Sequence, residues 1–211
     1  IVVCPSSLKT NWHREIDKWV EELKTVVIKG AKKRRYKLYE KFINDDMRFM
    51  IVGYETLRAD ISHLENGLDQ FDALIVDEAH RLRNYTSQQS KALYRLRRLT
   101  DYVYPMTGTP AVNHPSDVFG ILRLINPTRF SSYWQFIERY FGYVEGRFGR
   151  ELLDIRKDRE KELLEILELN SVQRKRKDVM DWIPKVTDRK LYVDLDTKQY
   201  THLKKIKEEF M

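Results

Sequence analysis

Leu74-Ile75-Val76-Asp77-Glu78-Ala79-His80 is an apolar run that stops abruptly on two adjacent acids. With Ala73 before it, the apolar part has the length and continuity of a fully buried strand. Carboxylates at the carboxyl end of a buried parallel strand lie where open α/β sheets take their ligands. Two neighbouring acids repel each other there and are costly unless a cation or bound water offsets them. Magnesium–nucleotide chemistry uses such a pair: one carboxylate holds the metal, commonly through water, and the other orients the attacking water. An exposed acidic turn would be enough to explain Asp-Glu alone. Four apolar residues running straight into Asp-Glu-Ala-His favour a ligand site.

The rhythm of strand and helix continues on both sides of this run. Upstream, residues 1–4 read as a buried strand, and Pro5-Ser6-Ser7 supplies a turn with a serine N-cap. Leu8, Trp12, Ile16, Trp19, Val20 and Leu23 then fall on one helix face. Residues 26–28 and 49–52 are two more short strands. Helices follow each, one opening on Lys32-Lys33-Arg34-Arg35-Tyr36-Lys37 and one carrying Leu57, Ile61 and Leu64. Downstream come a helix with Leu93, Leu96 and Leu99, and a strand at residues 102–106. Another helix has Pro115 in its first turn. Strands alternating with helices predict a parallel sheet covered on both faces.

Beyond about Pro127 the character changes. Tyr133, Trp134, Phe136, Ile137, Tyr140 and Phe141 predict an aromatic helix. Gly142, Gly146 and Gly149 loosen the chain before a charged helix over about 154–169. The last third therefore reads as an all-helical insertion, returning to a strand marked by Leu191, Val193 and Leu195 and then a terminal helix.

Composition narrows the class. The chain has 211 residues, enough for one large domain, with 39 Lys+Arg against 32 Asp+Glu and a net charge of +7. That balance favours a polyanionic partner without establishing one. A single cysteine, Cys4, excludes a disulfide framework within the chain and fits a reducing, intracellular setting. No apolar run is long enough to span a membrane. The five histidines show no metal-ligand spacing, and the four tryptophans read as core or helix-packing residues. The basic runs at 32–37 and 174–177 are candidate phosphate contacts or solvated helix faces.

A second chemical feature is Met106-Thr107-Gly108-Thr109-Pro110, at the end of another apolar strand. Its hydroxyls can relay hydrogen bonds to a neighbouring acid or to His80, and the glycine allows close backbone approach. Alone it is an ordinary turn; together with Asp-Glu-Ala-His it is far more specific.

In order along the chain, five stretches resemble motifs of the Swi/Snf family of superfamily 2 helicase-like DNA translocases. Val2-Val3-Cys4-Pro5-Ser6-Ser7-Leu8 with Asn11-Trp12, Glu15 and Lys18-Trp19 resembles motif Ia, and Val52-Gly53-Tyr54-Glu55-Thr56-Leu57 resembles motif Ib. Asp77-Glu78-Ala79-His80 with Arg81-Leu82-Arg83-Asn84 resembles motif II. Thr107-Gly108-Thr109-Pro110 with Asn113 resembles motif III. Arg174, Lys175, Lys177-Asp178-Val179 and Ile183-Pro184-Lys185 resemble the stretch that closes the first motor lobe.

The resemblance implies a RecA-like α/β lobe at 1–127, a helical protrusion at 128–188, and a closing strand and helix at 189–211. It implies that Asp77 coordinates Mg2+ through water, that Glu78 polarises the hydrolytic water, and that His80 couples this site to Thr107, Gly108 and Thr109. Ser6, Ser7, Lys9, Tyr54 and Thr56 would lie along a DNA phosphate track, helix N-termini and hydroxyls being good phosphate ligands. Ser7 could equally be a plain N-cap. The implied cofactors are ATP and Mg2+. The implied partners are double-stranded DNA and a second RecA-like lobe, in a soluble intracellular protein that is nuclear or nucleoid-associated, or cytoplasmic if bacterial or phage.

The departures are instructive. None of the eight glycines sits in a GxxxxGK[ST] phosphate loop, and the adenine-reading glutamine motif and the second lobe have no counterpart. Met106 and Ile183 stand where leucine is commoner, volume-conserving changes. The expectation is a piece of a longer DNA-dependent ATPase, entered mid-domain and unable to hydrolyse ATP alone. A strand-separating helicase, the motor of a restriction or repair enzyme, and a non-catalytic DNA-binding module remain alternatives.

Overall fold

The computed structural model describes residues 1–20, 23–146, 149–174 and 196–209. The chain divides into two compact units, Ile1–Leu167 and Glu168–Met211.

The first unit is built on five parallel strands: β1 (Val2–Cys4), β2 (Thr25–Val27), β3 (Phe49–Gly53), β4 (Ala73–Asp77) and β5 (Tyr102–Met106). Their order across the sheet is β2-β3-β1-β4-β5. The helices that follow them, one after each strand, are α1 (Lys9–Trp19), α2 (Lys32–Asn44), α3 (Tyr54–Gly67), α4 (Gln88–Leu96) and α5 (Phe119–Ile125). The predicted α/β lobe is therefore present, with each strand within a residue or two of its expected place.

Side-chain alternation sorts the strands between two apolar layers. Val3, Val26, Met50, Val52, Leu74 and Val76 face a large layer completed by Tyr39, Leu57, Leu64, Leu93, Leu96 and Leu124 from α2 to α5. Val2, Cys4 and Ile51 face the other way, onto Ile16 of α1 with Leu8 and Trp12 beside it. Helices thus cover both faces, which is why Val2, Val3 and Cys4 of the central β1 have no exposed surface. Burying each such side chain contributes about 1.5–3 kcal/mol. Cover on the α1 side runs out toward the edge: Tyr102, Tyr104 and Met106 of β5 are 65, 55 and 47% exposed.

A satellite cluster follows. α6 (Tyr133–Tyr140) and α7 (Glu160–Leu169) enclose Phe130, Phe136, Ile137, Tyr140, Phe141, Leu163 and Ile166 against Val118, Phe119 and Leu122. Between them the expected all-helical stretch is instead interrupted by an antiparallel hairpin, β6 (Tyr143–Gly146) and β7 (Gly149–Leu152). Two of the three glycines expected to loosen the chain, Gly146 and Gly149, are the hairpin's closing pair, and Gly149 uses a left-handed φ of 122°. Arg150 pairs with Glu145 across the ladder at 3.0 Å and lies over the Trp134 and Tyr143 rings.

A final helix spans Thr197–Glu209. The strand expected at Leu191, Val193 and Leu195, and the lobe-closing residues from Lys175 to Lys185, lie outside the described residues. Trp182 does too. Of the other tryptophans read as packing residues, Trp19 is 72% exposed and sits beside Lys18 and Glu15 on the surface. Among the described residues, no helix is long and apolar enough to cross a membrane.

Candidate functional site

Parallel pairing brings the candidate residues together. The registers Cys4↔Gly53, Val3↔Val76 and Asp77↔Met106 align the carboxyl ends of β1, β3, β4 and β5. The segments that leave those ends begin at Pro5, Tyr54, Glu78 and Thr107. Four separate motifs therefore meet on one edge of the sheet, the edge where such folds bind ligands.

Asp77 is held from three directions. The Glu78 amide donates to its Oδ1 at 2.9 Å, the Trp12 indole N–H donates to its Oδ2 at 2.8 Å, and the Tyr54 hydroxyl donates to its carbonyl at 2.6 Å. Tyr54 is wholly buried, and burial pushes its hydroxyl above the usual phenol range, so it stays a donor. The Arg81 guanidinium lies 4.9 Å from the centre of the Tyr54 ring. Arg81 also pairs with Glu55 at 3.0 Å, and the Ser6 hydroxyl donates to the other Glu55 oxygen at 3.3 Å. Hydrogen bonding from its own backbone at the start of α3, then Arg81 and Ser6, holds the Glu55 carboxyl below the usual range.

Glu78 is the single non-glycine with positive φ among the described residues, at φ 53° and ψ 47°. The chain turns there from β4 into a short 3-10 turn, Ala79–Arg83, and this turn carries His80 back toward the acid. His80 Nδ1 sits 3.1 Å from Glu78 Oε2 and 3.3 Å from Thr107 Oγ1, and the Thr109 amide donates to Thr107 Oγ1 at 3.1 Å. The chain Glu78–His80–Thr107–Thr109 is therefore continuous. Gly108 lies in the open, with nothing near where a Cβ would stand. Asn113 is placed by its amide, which donates to Asp117 Oδ2 at 2.9 Å.

The expected phosphate-track residues do not all sit alike. Ser6 and Ser7 are exposed in a 3-10 turn, Ser6–Leu8, rather than capping α1: Leu8 holds the N-cap position and no side chain caps it. Lys9 donates its ammonium to the Ile28 carbonyl at 2.9 Å. Thr56 is half-buried in the first turn of α3. Tyr54 lies beneath the site, its ring turned inward by the junction of β3 with α3.

Sequence reading missed Trp12 and the Ser6–Glu55–Arg81 bridge. Trp12 shares a helix face with Leu8 and Ile16, so its spacing reads as packing. Only the register of β1 beside β4 reveals that its N–H reaches Asp77.

The SNF2-related domain model matches residues 1–210. The chain belongs to the SNF2-related family. Among its SNF2-related relatives is the DNA repair and recombination protein RDH54 of Saccharomyces cerevisiae, 29% identical over 203 residues, covering 89% of this chain. Another is the ISWI chromatin-remodeling complex ATPase ISW1 of the same yeast, 27% identical over 211 residues and 99% of this chain. The chain spans 21% and 18% of the lengths of these two proteins. It also resembles the Sulfolobus solfataricus SWI2/SNF2 ATPase core in complex with dsDNA. That match has a TM-score of 0.53 and 26% identity, and covers 66% of this chain and 27% of that one.

Proposed function

We propose that this SNF2-related chain is part of the first motor lobe of a longer ATP-driven translocase on double-stranded DNA. The observation that carries the reading is the joined pair of strand ends, with Asp77 and Glu78 on one and Thr107 and Thr109 on the other, bridged by His80.

In this reading Asp77 is the residue that would hold magnesium, through water. Among the described residues no three His, Cys, Asp or Glu cluster as a metal cage. One fixed carboxylate suits Mg2+, which keeps its waters and is shared with substrate phosphates. Bound Mg2+ and ATP would supply the charge-neutralised phosphoryl group that the reaction needs. Glu78, half-exposed and beside His80, takes the proton of the attacking water, a role worth about 10²–10⁴-fold. His80 holds the Glu78 carboxylate and passes its position to Thr107 and Thr109. Ser6, Ser7 and Thr56 face the DNA backbone, with Lys9 bracing the turn through Ile28. The phosphate loop and the second lobe would come from flanking chain, so the 211 residues alone are inactive.

The test is ATP hydrolysis by the full-length protein with and without duplex DNA. Duplex should raise the rate, and Glu78→Gln should lower it at least about 100-fold while nucleotide binding persists. A rate indifferent to duplex, or kept by E78Q, would sink the reading.

A further inference from the structure

Of the two donors on the Asp77 carboxylate, the one to Oδ2 comes from α1, 65 residues away. We propose that Trp12 is a positioning residue for Asp77, its indole N–H fixing how the carboxylate faces the cation and tying α1 to that acid. The inference rests on reading Asp77 and Glu78 as the hydrolytic pair.

Packing alone does not account for Trp12. Its ring joins Leu8 and Ile16 in the layer between α1 and the sheet, a place that phenylalanine would also fill. What the indole adds is one N–H, and it lies 2.8 Å from a carboxylate oxygen, the length of a charge-assisted bond. The Glu78 amide grips Oδ1, but it belongs to the next residue and leaves the carboxylate free to pivot about that bond. The bond from Trp12 removes the pivot. Each carboxylate oxygen has two lone pairs, so Oδ2 can still receive a water of a hydrated cation. Hydrogen bonds of this kind orient metal ligands, and losing one typically costs about 10–100-fold in metal affinity or activity.

The same bond has a mechanical consequence. Trp12 is the fourth residue of α1, one turn beyond the Ser6–Leu8 turn with its two exposed serines. A phosphate that moves that turn moves Trp12, and Trp12 moves the Asp77 carboxylate. DNA is thereby linked to the metal-binding acid without passing through Glu55 and Arg81.

The decisive variant is Trp12→Phe in the full-length protein, which keeps an aromatic ring and removes the donor. The Mg2+ concentration for half-maximal ATPase should rise about tenfold, and stimulation by duplex should shrink. Affinity for duplex without nucleotide should not change. A purely packing role would lower the melting temperature and leave the Mg2+ curve in place, and that result would overturn the proposal. Glu78→Gln run alongside separates the two failures. If E78Q keeps its ATPase, the reading of the acid pair is wrong. If E78Q is dead and W12F has a wild-type Mg2+ curve, only the positioning role is wrong. Should W12F not fold, the protein with 15N-labelled indoles reads the same bond with Trp12 intact. Asp77→Asn should shift one indole N–H resonance upfield, and MgCl2 with ADP should move that same resonance in the wild type. No indole responding to D77N would dispose of the idea.

Discussion

Cys4 ends β1 beside Asp77, with no exposed surface. Burial first, and then the Asp77 carboxylate, push its thiol from an ordinary 9.0 up to about 12. Because thiolate is the reactive form, Cys4 should resist alkylation at pH 8 in the native protein and react at once in guanidinium. Rapid stoichiometric labelling under native conditions would contradict this placement. The same shift has a stability sign. The folded state holds the thiol proton more tightly than the unfolded state, so the contribution is complete below about pH 9 and is lost as pH climbs toward 12. Melting temperatures of wild type and Cys4→Ala, compared between pH 8 and 11, isolate this group: the wild type should fall more steeply. Glu78 is the opposite kind of residue, strained rather than satisfied. A left-handed φ costs a side chain about 1–2 kcal/mol, and such strain persists where surrounding structure enforces it. Here it turns the carboxylate back toward His80.

Elements explain why that strain is held. The 3-10 turn Ala79–Arg83 is pinned by α5, whose Gly120 comes so close that an added Cβ would stand 2.1 Å from the Leu82 carbonyl oxygen and 2.8 Å from its carbon. These are backbone atoms, so nothing flexible can give way. Gly120→Ala should destabilise the protein by about 1–3 kcal/mol, several degrees of melting temperature, and should also disturb His80, lowering ATPase in the folded fraction. An alanine variant with wild-type melting would show that α5 can back away. The close approach of Gly120 to Leu82 is also where sequence reading stops. Strands and helices were legible because short apolar runs and helical spacing each bury one stripe, and strand-end acids announced Asp77 and Glu78. Nothing in the sequence marks Gly120, Tyr54 reads as a phosphate-track residue, and the pair Gly146 and Gly149 reads as a loosened stretch. In each case the missing information was a long-range neighbour: the Leu82 carbonyl, the Asp77 carbonyl, the facing strand. The exposed face of β5 is a further case. Parallel sheets are covered on both sides, yet Tyr102, Tyr104 and Met106 stand open on the side where α1 covers β1.

Across the whole molecule, a net charge of +7 favours polyanions, but it is geometry that decides which cations are free to bind them. Since β2 runs parallel to β1, its carboxyl end opens on the same edge of the sheet as Asp77, and α2 starts there with Lys32-Lys33-Arg34-Arg35. The bond from Lys9 to Ile28 ties the two loops together. Within this run the residues part company. Lys32, Lys33 and Arg34 are exposed, whereas Arg35 turns inward to grip both oxygens of Asp60, which is 2% exposed and also accepts from the buried Tyr39 hydroxyl. Two substitutions in one run should therefore act in different ways. Replacing Lys32, Lys33 and Arg34 with Gln should leave melting unchanged and weaken duplex binding by the full-length protein. The slope of log affinity against log salt should fall by about 0.9 for each phosphate that the variant no longer neutralises. Arg35→Gln should leave that slope alone and strand a buried carboxylate, costing about 3 kcal/mol of stability. Fluorescence anisotropy on a labelled duplex at four salt concentrations, beside thermal melts, reads both. An unchanged slope in the triple variant would remove α2 from the DNA-facing edge, and a stable Arg35→Gln would mean that Asp60 is not held as the geometry shows. If both effects appear as stated, a single basic stretch will have been divided, residue by residue, into cations that bind a partner and one that holds the fold.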